Sequence, residues 1–491
     1  MAADWPPWKR ANFRRPPRAF APRLRKIPFP AFVTENPSMS NTRSFRASAL
    51  ALAVIGTLFV GQAAASGFQL REQSVKNLGK ANAGSIVGKD ASNVSLNPAA
   101  MTNLTQNTVQ ADITVIDLSA DFTGGGNVLG SPAGPLSGGN GGDPGDPTVV
   151  PNMSVVFPMK GALEGLTLGA SIGAPFGLAT EYEHGWVGRY RALTSDVKAV
   201  DLTLSAAIKP ADSLSIGLGL IYEHAEATLS KAIDFGTAIC AASGNPANCF
   251  NPAFPFKPQQ MDGGFEVQGS SSSIGYVVGM QFQPSARFAL GVSHRSEIKH
   301  ELEGSLDFTN VPALLANDPR FQDGDGGARL VTPSITTVSA SFGVTDNFRL
   351  MADYQKTDWS SLHDVTIKRN NGTVVGMEPF EWSDTDFYSL GAEFDLSEAF
   401  TLRGGIGKDE SPTNDTHRTP RLPDADRTLY SIGATWHVSP ALSLDAAFQR
   451  IEIDSPKIAL PVHAASGNTS SLVGSFDGSA NLFGVSAQYR F

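Results

Sequence analysis

The last nine residues constrain this chain more than any other stretch. Phe483, Val485, Ala487, Tyr489 and Phe491 alternate with Gly484, Ser486, Gln488 and Arg490, so an extended segment has one apolar and one polar face. A strand ending on an exposed aromatic has an open edge unless both sides are paired. In lipid no edge is tolerated, and a sheet must close on itself. The tail therefore predicts the closing strand of an all-β fold, a transmembrane antiparallel β-barrel.

The same alternation recurs upstream. Val200, Leu202, Leu204, Ala206 and Ile208 face one way, and Asp201, Thr203 and Ser205 the other. Period-two runs follow at 214–222, 274–282, 288–298, 348–354, 388–396, 400–406, 430–438 and 442–448. With 108–122, 150–160, 166–182, 333–344 and the final segment, the pattern predicts about fourteen strands, an even number as single-chain barrels require. Short polar turns such as 210–212, 284–285 and 345–347 are expected on the periplasmic side. Long Gly/Pro/Asp-rich stretches (123–148, 234–268, 309–332, 409–425, 456–477) are expected outside.

The other end carries an export signal. Met39 is followed by Arg43 and Arg46, a mostly apolar run to Val60, and Ala63-Ala64-Ala65, an A-x-A pattern that predicts a new N-terminus at Ser66. The apolar run is shorter than the ~20 residues of a spanning helix. Residues 1–38 precede this complete signal (39–65) and read as a start codon assigned too far upstream, with an unusually long n-region as the alternative. Ten of the 38 Lys and Arg but two of the 47 Asp and Glu lie before Ser66, so the remaining chain has a net charge of about −17. That balance argues against nucleic acid as a partner. Cys240 and Cys249, nine residues apart in an exported chain, are read as a loop-stapling disulfide. Metal binding is the alternative, but no His lies nearby.

Residues 66–107 do not alternate and precede the barrel of 108–491, so they are either a tail or a plug. Ser66-Gly-Phe-Gln-Leu70, Leu78-Gly-Lys-Ala81, Asp90-Ala-Ser-Asn-Val94 and Asn97-Pro-Ala99 resemble the N-terminal hatch of the FadL/TodX family. These are outer-membrane channels for long-chain fatty acids and other hydrophobic compounds. The resemblance continues in order through 177–182, 294–299, 409–412 and 423–427 to the aromatic C-terminus. It implies fourteen strands plugged by the hatch, and passive uptake without cofactor or nucleotide. Ligand would be captured by an apolar groove among the outer loops and pass to an internal pocket that touches the new N-terminus. It would then leave sideways beside a kinked third strand. A Gram-negative outer membrane, its lipid, the barrel assembly machinery acting on the C-terminal strand, and a monomeric state are the corresponding expectations.

Particular residues fit these roles. In the third strand, Gly173, Pro175, Phe176 and Gly177 make unbroken pairing improbable, because Pro lacks an N–H and Gly packs no side chain. The segment is either an ordinary bulge or the lateral gate. Asn97, Pro98 and Ala99 predict a tight hatch turn, and Phe68 is placed to reach the internal pocket. Phe250, Phe254, Phe256 and Met261, in a loop facing water, are the expected capture surface or else pack the loop on the rim. Arg295, Glu297 and Lys299 are expected to face the lumen, either as a balanced wall network or to hold an anionic head group, since charge on the lipid face costs ~2–4 kcal/mol at midplane. Arg295, Lys299, Arg403, Arg418, Arg421 and Arg427 are the candidates to hold a ligand carboxylate.

Gly169-Ala-Ser171-Ile-Gly173 matches the nucleophile pattern of hydrolases, but it lies within a predicted strand and leads into Pro175 rather than a helix. No Walker loop, HExxH pattern or Cys/His cluster accompanies it, so neither a catalytic residue nor a metal site is expected. Long-chain fatty acid is the leading substrate. An aromatic or alkane hydrocarbon is the rival on the same fold, and a lipid hydrolase or a non-selective porin are rivals from other classes.

Overall fold

Alternation becomes wall geometry. In the computed structural model, which describes residues 66–463 and 467–491, inward side chains on each strand are buried and outward ones lie bare. The upstream extension 1–38 and the signal peptide 39–65 lie outside the described residues. Six antiparallel strands open the wall: β1 (Thr108–Gly125), β2 (Thr148–Pro158), β3 (Leu166–Glu181), β4 (Thr194–Ala211), β5 (Leu214–Asp234) and β6 (Asp262–Ser285). Two wall positions are each built from two pieces, β7 (Phe288–Arg295) with β8 (Ile298–Thr309) and β9 (Gly324–Thr332) with β10 (Ile335–Gly343). Then follow β11 (Phe348–Thr357), an outer-loop hairpin of β12 (Asp364–Arg369) and β13 (Val374–Pro379), and the wall strands β14 (Thr385–Asp395), β15 (Phe400–Asp409), β16 (Arg427–His437) and β17 (Leu442–Ile453). Short β18 (Lys457–Leu460) precedes β19 (Leu472–Arg490), which pairs with β1 from Thr108↔Arg490 to Gly125↔Val473 and closes the ring. Fourteen wall positions result, and the closing strand is the C-terminal one.

The outward face carries an apolar belt that includes Leu204, Leu218, Ile274 and Ile432, all more than half exposed. Exposed tyrosines (Tyr222, Tyr276, Tyr354, Tyr388, Tyr430) rim it toward the long loops. Phe282, Phe342, Phe394, Phe400 and Trp436 rim it toward the short turns. Two aromatic girdles around an apolar band are what a bilayer imposes on a barrel.

One sequence-based expectation is corrected here. Inward positions on β7 are Ala289, Gly291, Ser293 and Arg295, but on β8 they are Ile298, His300 and Leu302. Ser296 and Glu297 interrupt the ladder and shift the alternation by one residue. Arg295 therefore faces the lumen, whereas Lys299 points outward, exposed and paired with Glu297 at 2.7 Å. Unbroken alternation through 288–299 was the wrong assumption.

The segment 66–107 sits inside the ring. It contains two single-turn helices, α1 (Val75–Leu78) and α2 (Asn93–Leu96), and a 3-10 turn, Pro98–Asn103. Wall carboxylates hold its backbone: Asp112 accepts from the Val75 N–H at 2.9 Å, and Asp353 from the Gly84 N–H at 2.6 Å. Leu70, Leu78 and Ala81 pack with Ile116, Ile451 and Leu482 of the wall.

Candidate functional site

The first described residues lie in the upper lumen. The Ser66 N–H donates to Asp409 Oδ2 at 3.1 Å and the Gly67 N–H to Asp424 Oδ2 at 2.9 Å. Gly67 has φ +58, and a Cβ there would lie 2.6 Å from Trp359 Cζ2, so no other residue fits. This turn drops Phe68 into an aromatic box, with ring centroids 4.9 Å from Trp359, 5.8 Å from Phe176 and 6.0 Å from Trp382. Edge-on packing of this kind fixes ring orientation as well as burying area.

Above Phe68 lies an internal cavity of about 70 Å³, walled by Leu178, Leu302, Leu330, Leu362, Trp382 and Leu422 among others. Its only ionisable lining residues are Glu378 and Arg421. Toward the outside it meets a groove of about 720 Å³ lined by Ile239 of α3 (Phe235–Ala242), Phe254, Phe256, Phe308 and Phe321. Of the four loop residues expected to capture ligand, Phe254 and Phe256 line this groove. Phe250 instead packs beside Gly134 in a neighbouring loop, and Met261 serves through its carbonyl, which accepts from the Phe235 N–H. Cys240 and Cys249 are joined and tie α3 to the 3-10 turn Pro246–Phe250.

Leu229, Val365, Ile367, Glu378 and Arg421 border both spaces and form the neck between them. Arg421 Nη1 donates to Thr194 O and Ser195 Oγ at 3.1 Å, and Nη2 to Ser230 O at 3.2 Å, all neutral acceptors. Lys231, on the groove wall, donates to the amide oxygen of Asn468 at 3.1 Å. Behind them Arg191 donates to the carbonyls of Pro461 and Ser470. Among the described residues none of the three has a carboxylate within ion-pair distance. Burial pulls the Arg421 guanidinium below its ordinary range and Arg191 to about 10.

The other arginine candidates are spoken for. Arg295 pairs with Asp201 at 2.5 Å and Glu223 at 2.6 Å, and Glu223 also takes His300 at 2.8 Å. Arg403 pairs with Glu393 at 2.7 Å near the periplasmic mouth. Arg418 pairs with Asp415, and Arg427 with Asp424. Each already has a carboxylate in its geometry, so Arg421 alone of the six keeps a free charge facing the cavities.

The third strand breaks where Gly and Pro predict it. Gly173 pairs with Asp201 and Phe176 with Ala199, so Ala174 and Pro175 stand opposite Val200 alone, a bulge of one extra residue. The hatch fills the break. The Leu70 N–H donates to Pro175 O at 2.7 Å, the Gly177 N–H to Phe68 O at 2.9 Å, and Gln73 Nε2 to Ala174 O at 2.7 Å. Below the box, a cavity of about 90 Å³ touches Gly173, Pro175, Arg71 and Arg295. Ser171 lines it from mid-strand, with no strand-to-helix turn and no histidine bonded to it.

Asn97, Pro98 and Ala99 act at the wall. Asn97 Oδ1 accepts from the Ala99 N–H at 3.2 Å and its Nδ2 donates to Ile86 O at 2.9 Å, while the turn presses on Gly217 and Gly279. Sequence reasoning missed Trp359, Trp382, Lys231 and Glu378. Two of the chain's six tryptophans in the non-alternating stretch 357–384 were the available signal.

Comparison with known proteins agrees with this geometry. Residues 56–491 match the family model described as outer membrane protein transport protein (OMPP1/FadL/TodX). The long-chain fatty acid transport protein of Escherichia coli O6:H1 is 28% identical over 466 residues, covering 92% of this chain and all of that protein. The crystal structure of a Pseudomonas aeruginosa FadL homologue superposes with a TM-score of 0.79 at 24% identity, over 87% of this chain and all of that one. That of the Pseudomonas putida toluene transporter TodX gives 0.61 at 13% identity, again over 87% of this chain and all of the other.

Proposed function

The chain belongs to the FadL/TodX family of outer-membrane transport proteins, and from that premise we propose that its cargo is a long-chain fatty acid carried inward by diffusion. Transport of hydrophobic compounds across the outer membrane follows from the family. The choice of a carboxylate-bearing cargo rests on one observation: Arg421 and Lys231 face the spaces on either side of the neck without a carboxylate partner. A buried, unpaired cation is costly and is stabilised by an anion brought to it. A fatty acid supplies that anion and an alkyl chain suited to the apolar cavity, whereas toluene leaves both cations as they are.

The same geometry supports a path. The groove collects the chain with Phe254 and Phe256, because apolar surface removed from water is favourable at roughly 25 cal/mol per Å². The internal cavity, about 70 Å³, is smaller than the ~150 Å³ space that holds one benzene. Filling it displaces the lining, and Phe68 stands on the one lining segment that is not part of the wall or outer loops. Phe68 and Leu70 carry the backbone bonds that close the β3 break, so moving them opens the wall beside Gly173–Gly177. Exit there spares the alkyl chain a passage through the polar lumen.

Binding of palmitate and of toluene to the purified, refolded protein tests this reading. Palmitate is expected to bind at micromolar or tighter affinity and to weaken about tenfold or more in R421Q, the loss of one charge-assisted contact. Preference for toluene, unaffected by R421Q, assigns the protein to hydrocarbon uptake instead.

A further inference from the structure

The neck holds a residue of opposite sign whose position has a consequence for selectivity. Glu378 lies on β13 opposite Val365 of β12, in the outer hairpin, and borders both the groove and the internal cavity. Among the described residues its carboxylate makes no hydrogen bond and no ion pair, and it is the one carboxylate lining either space besides Asp234, which accepts from the Thr237 and Gln259 N–H groups. It shares the lining of both spaces with Arg421, and that of the groove with Lys231. Arg421 and Lys231 thus line these spaces with one carboxylate that is unpaired among the described residues, while Arg295, Arg403, Arg418 and Arg427 have carboxylates bonded in place.

We propose that Glu378 is a specificity-determining residue of the neck: an unpaired acidic group whose charge opposes that of a ligand carboxylate drawn to Arg421 and Lys231. The inference rests on the fatty-acid reading above and deepens it. With Glu378 in place, its charge offsets part of that of Arg421 and Lys231, and these three residues keep one positive charge in excess, which favours a monoanionic head group over a neutral one. With Glu378 neutralised, the ligand meets the full charge of Arg421 and Lys231. A unit charge several ångströms away in a partly hydrated site changes affinity by about tenfold. Glu378 therefore weakens equilibrium binding of the anion while it prevents the neck from becoming a trap. A channel that works by diffusion needs that balance, since uniformly tighter binding slows release. A neutral amphiphile of the same length carries no charge and passes without regard to residue 378.

The test compares palmitate with hexadecanol on wild type, E378Q, E378D and R421Q, each purified as the folded outer-membrane protein and checked for heat-modifiable mobility. Affinity is measured by titration, and delivery by uptake into cells lacking their own fatty-acid channel. E378Q is expected to bind palmitate about tenfold more tightly, leave hexadecanol unchanged and slow palmitate delivery, with E378D near wild type. Palmitate affinity that is unchanged or lower in E378Q, or a shift shared equally by hexadecanol, overturns the proposal. R421Q separates the two levels. If palmitate binding depends on Arg421 but not on Glu378, only the role of Glu378 fails. If R421Q leaves palmitate binding intact, the carboxylate reading itself falls and this inference with it.

Discussion

Gly279 illustrates how single wall positions hold the hatch. A Cβ built there would stand 1.8 Å from Asn97 Oδ1, the atom that caps the Pro98–Asn103 turn. G279A therefore forces the Asn97-Pro98-Ala99 turn off the wall, at a cost of about 1–3 kcal/mol for overpacking. The expected result is a lower midpoint for the heat-induced mobility shift. G88A, where a Cβ meets nothing within 4 Å, should leave the midpoint in place. Equal midpoints for the two variants would mean that the turn does not bear on that wall. Residue types alone did not disclose such contacts. Asn-Pro-Ala marks a turn in any sequence, and Gly279 is one of 49 glycines. The arginines teach the same lesson. All six candidate cations read alike in sequence, but the carboxylates that neutralise Arg295 lie 94 and 72 residues away on other strands.

At the scale of elements, what was legible depended on periodicity. Strands that cross the bilayer must alternate, so the run 166–182 anticipates β3 and even its break at Gly173–Pro175. The hairpin of β12 and β13 stands in the outer loops, where no lipid enforces a pattern, and it escaped notice although it carries Val365, Ile367 and Glu378 to the neck. Alternation also misled at β7 and β8, where two residues reset the inward face. The β3 bulge yields a direct prediction. Deleting Ala174 removes the extra residue, lets β3 pair with β4 through the former gap, and leaves the Leu70 N–H and the Phe68 carbonyl competing with the strand for partners. Palmitate delivery to cells lacking their own channel should fall severalfold while the heat-modifiable barrel persists. Unchanged delivery would place the exit elsewhere in the wall.

The whole molecule inverts the usual arrangement of a globular protein, with its apolar band outside and buried charge within. An interior of this kind cannot be filled by hydrophobic packing alone, and the hatch is held in two ways. Leu70, Leu78 and Ala81 join a lumenal apolar cluster, while Asp112 and Asp353 reach in from opposite parts of the wall to take backbone N–H groups of Val75, Gly84 and Ser85. Each buried donor left without its acceptor costs about 1–3 kcal/mol. The two carboxylates bind different hatch turns, so their losses should add. In D112A/D353A the apolar cluster remains, yet the hatch loses several kcal/mol of anchoring and spends more time displaced. Single channels in a planar bilayer should then pass small ions in bursts, where wild type is nearly silent. The barrel itself, closed by the long pairing of β1 with β19, should keep its heat-modifiable mobility. Silent channels in the double variant would show that packing alone holds the hatch. Bursts would show that these buried carboxylates, rather than the apolar cluster, keep the lumen shut and leave the wall as the route for a hydrophobic solute.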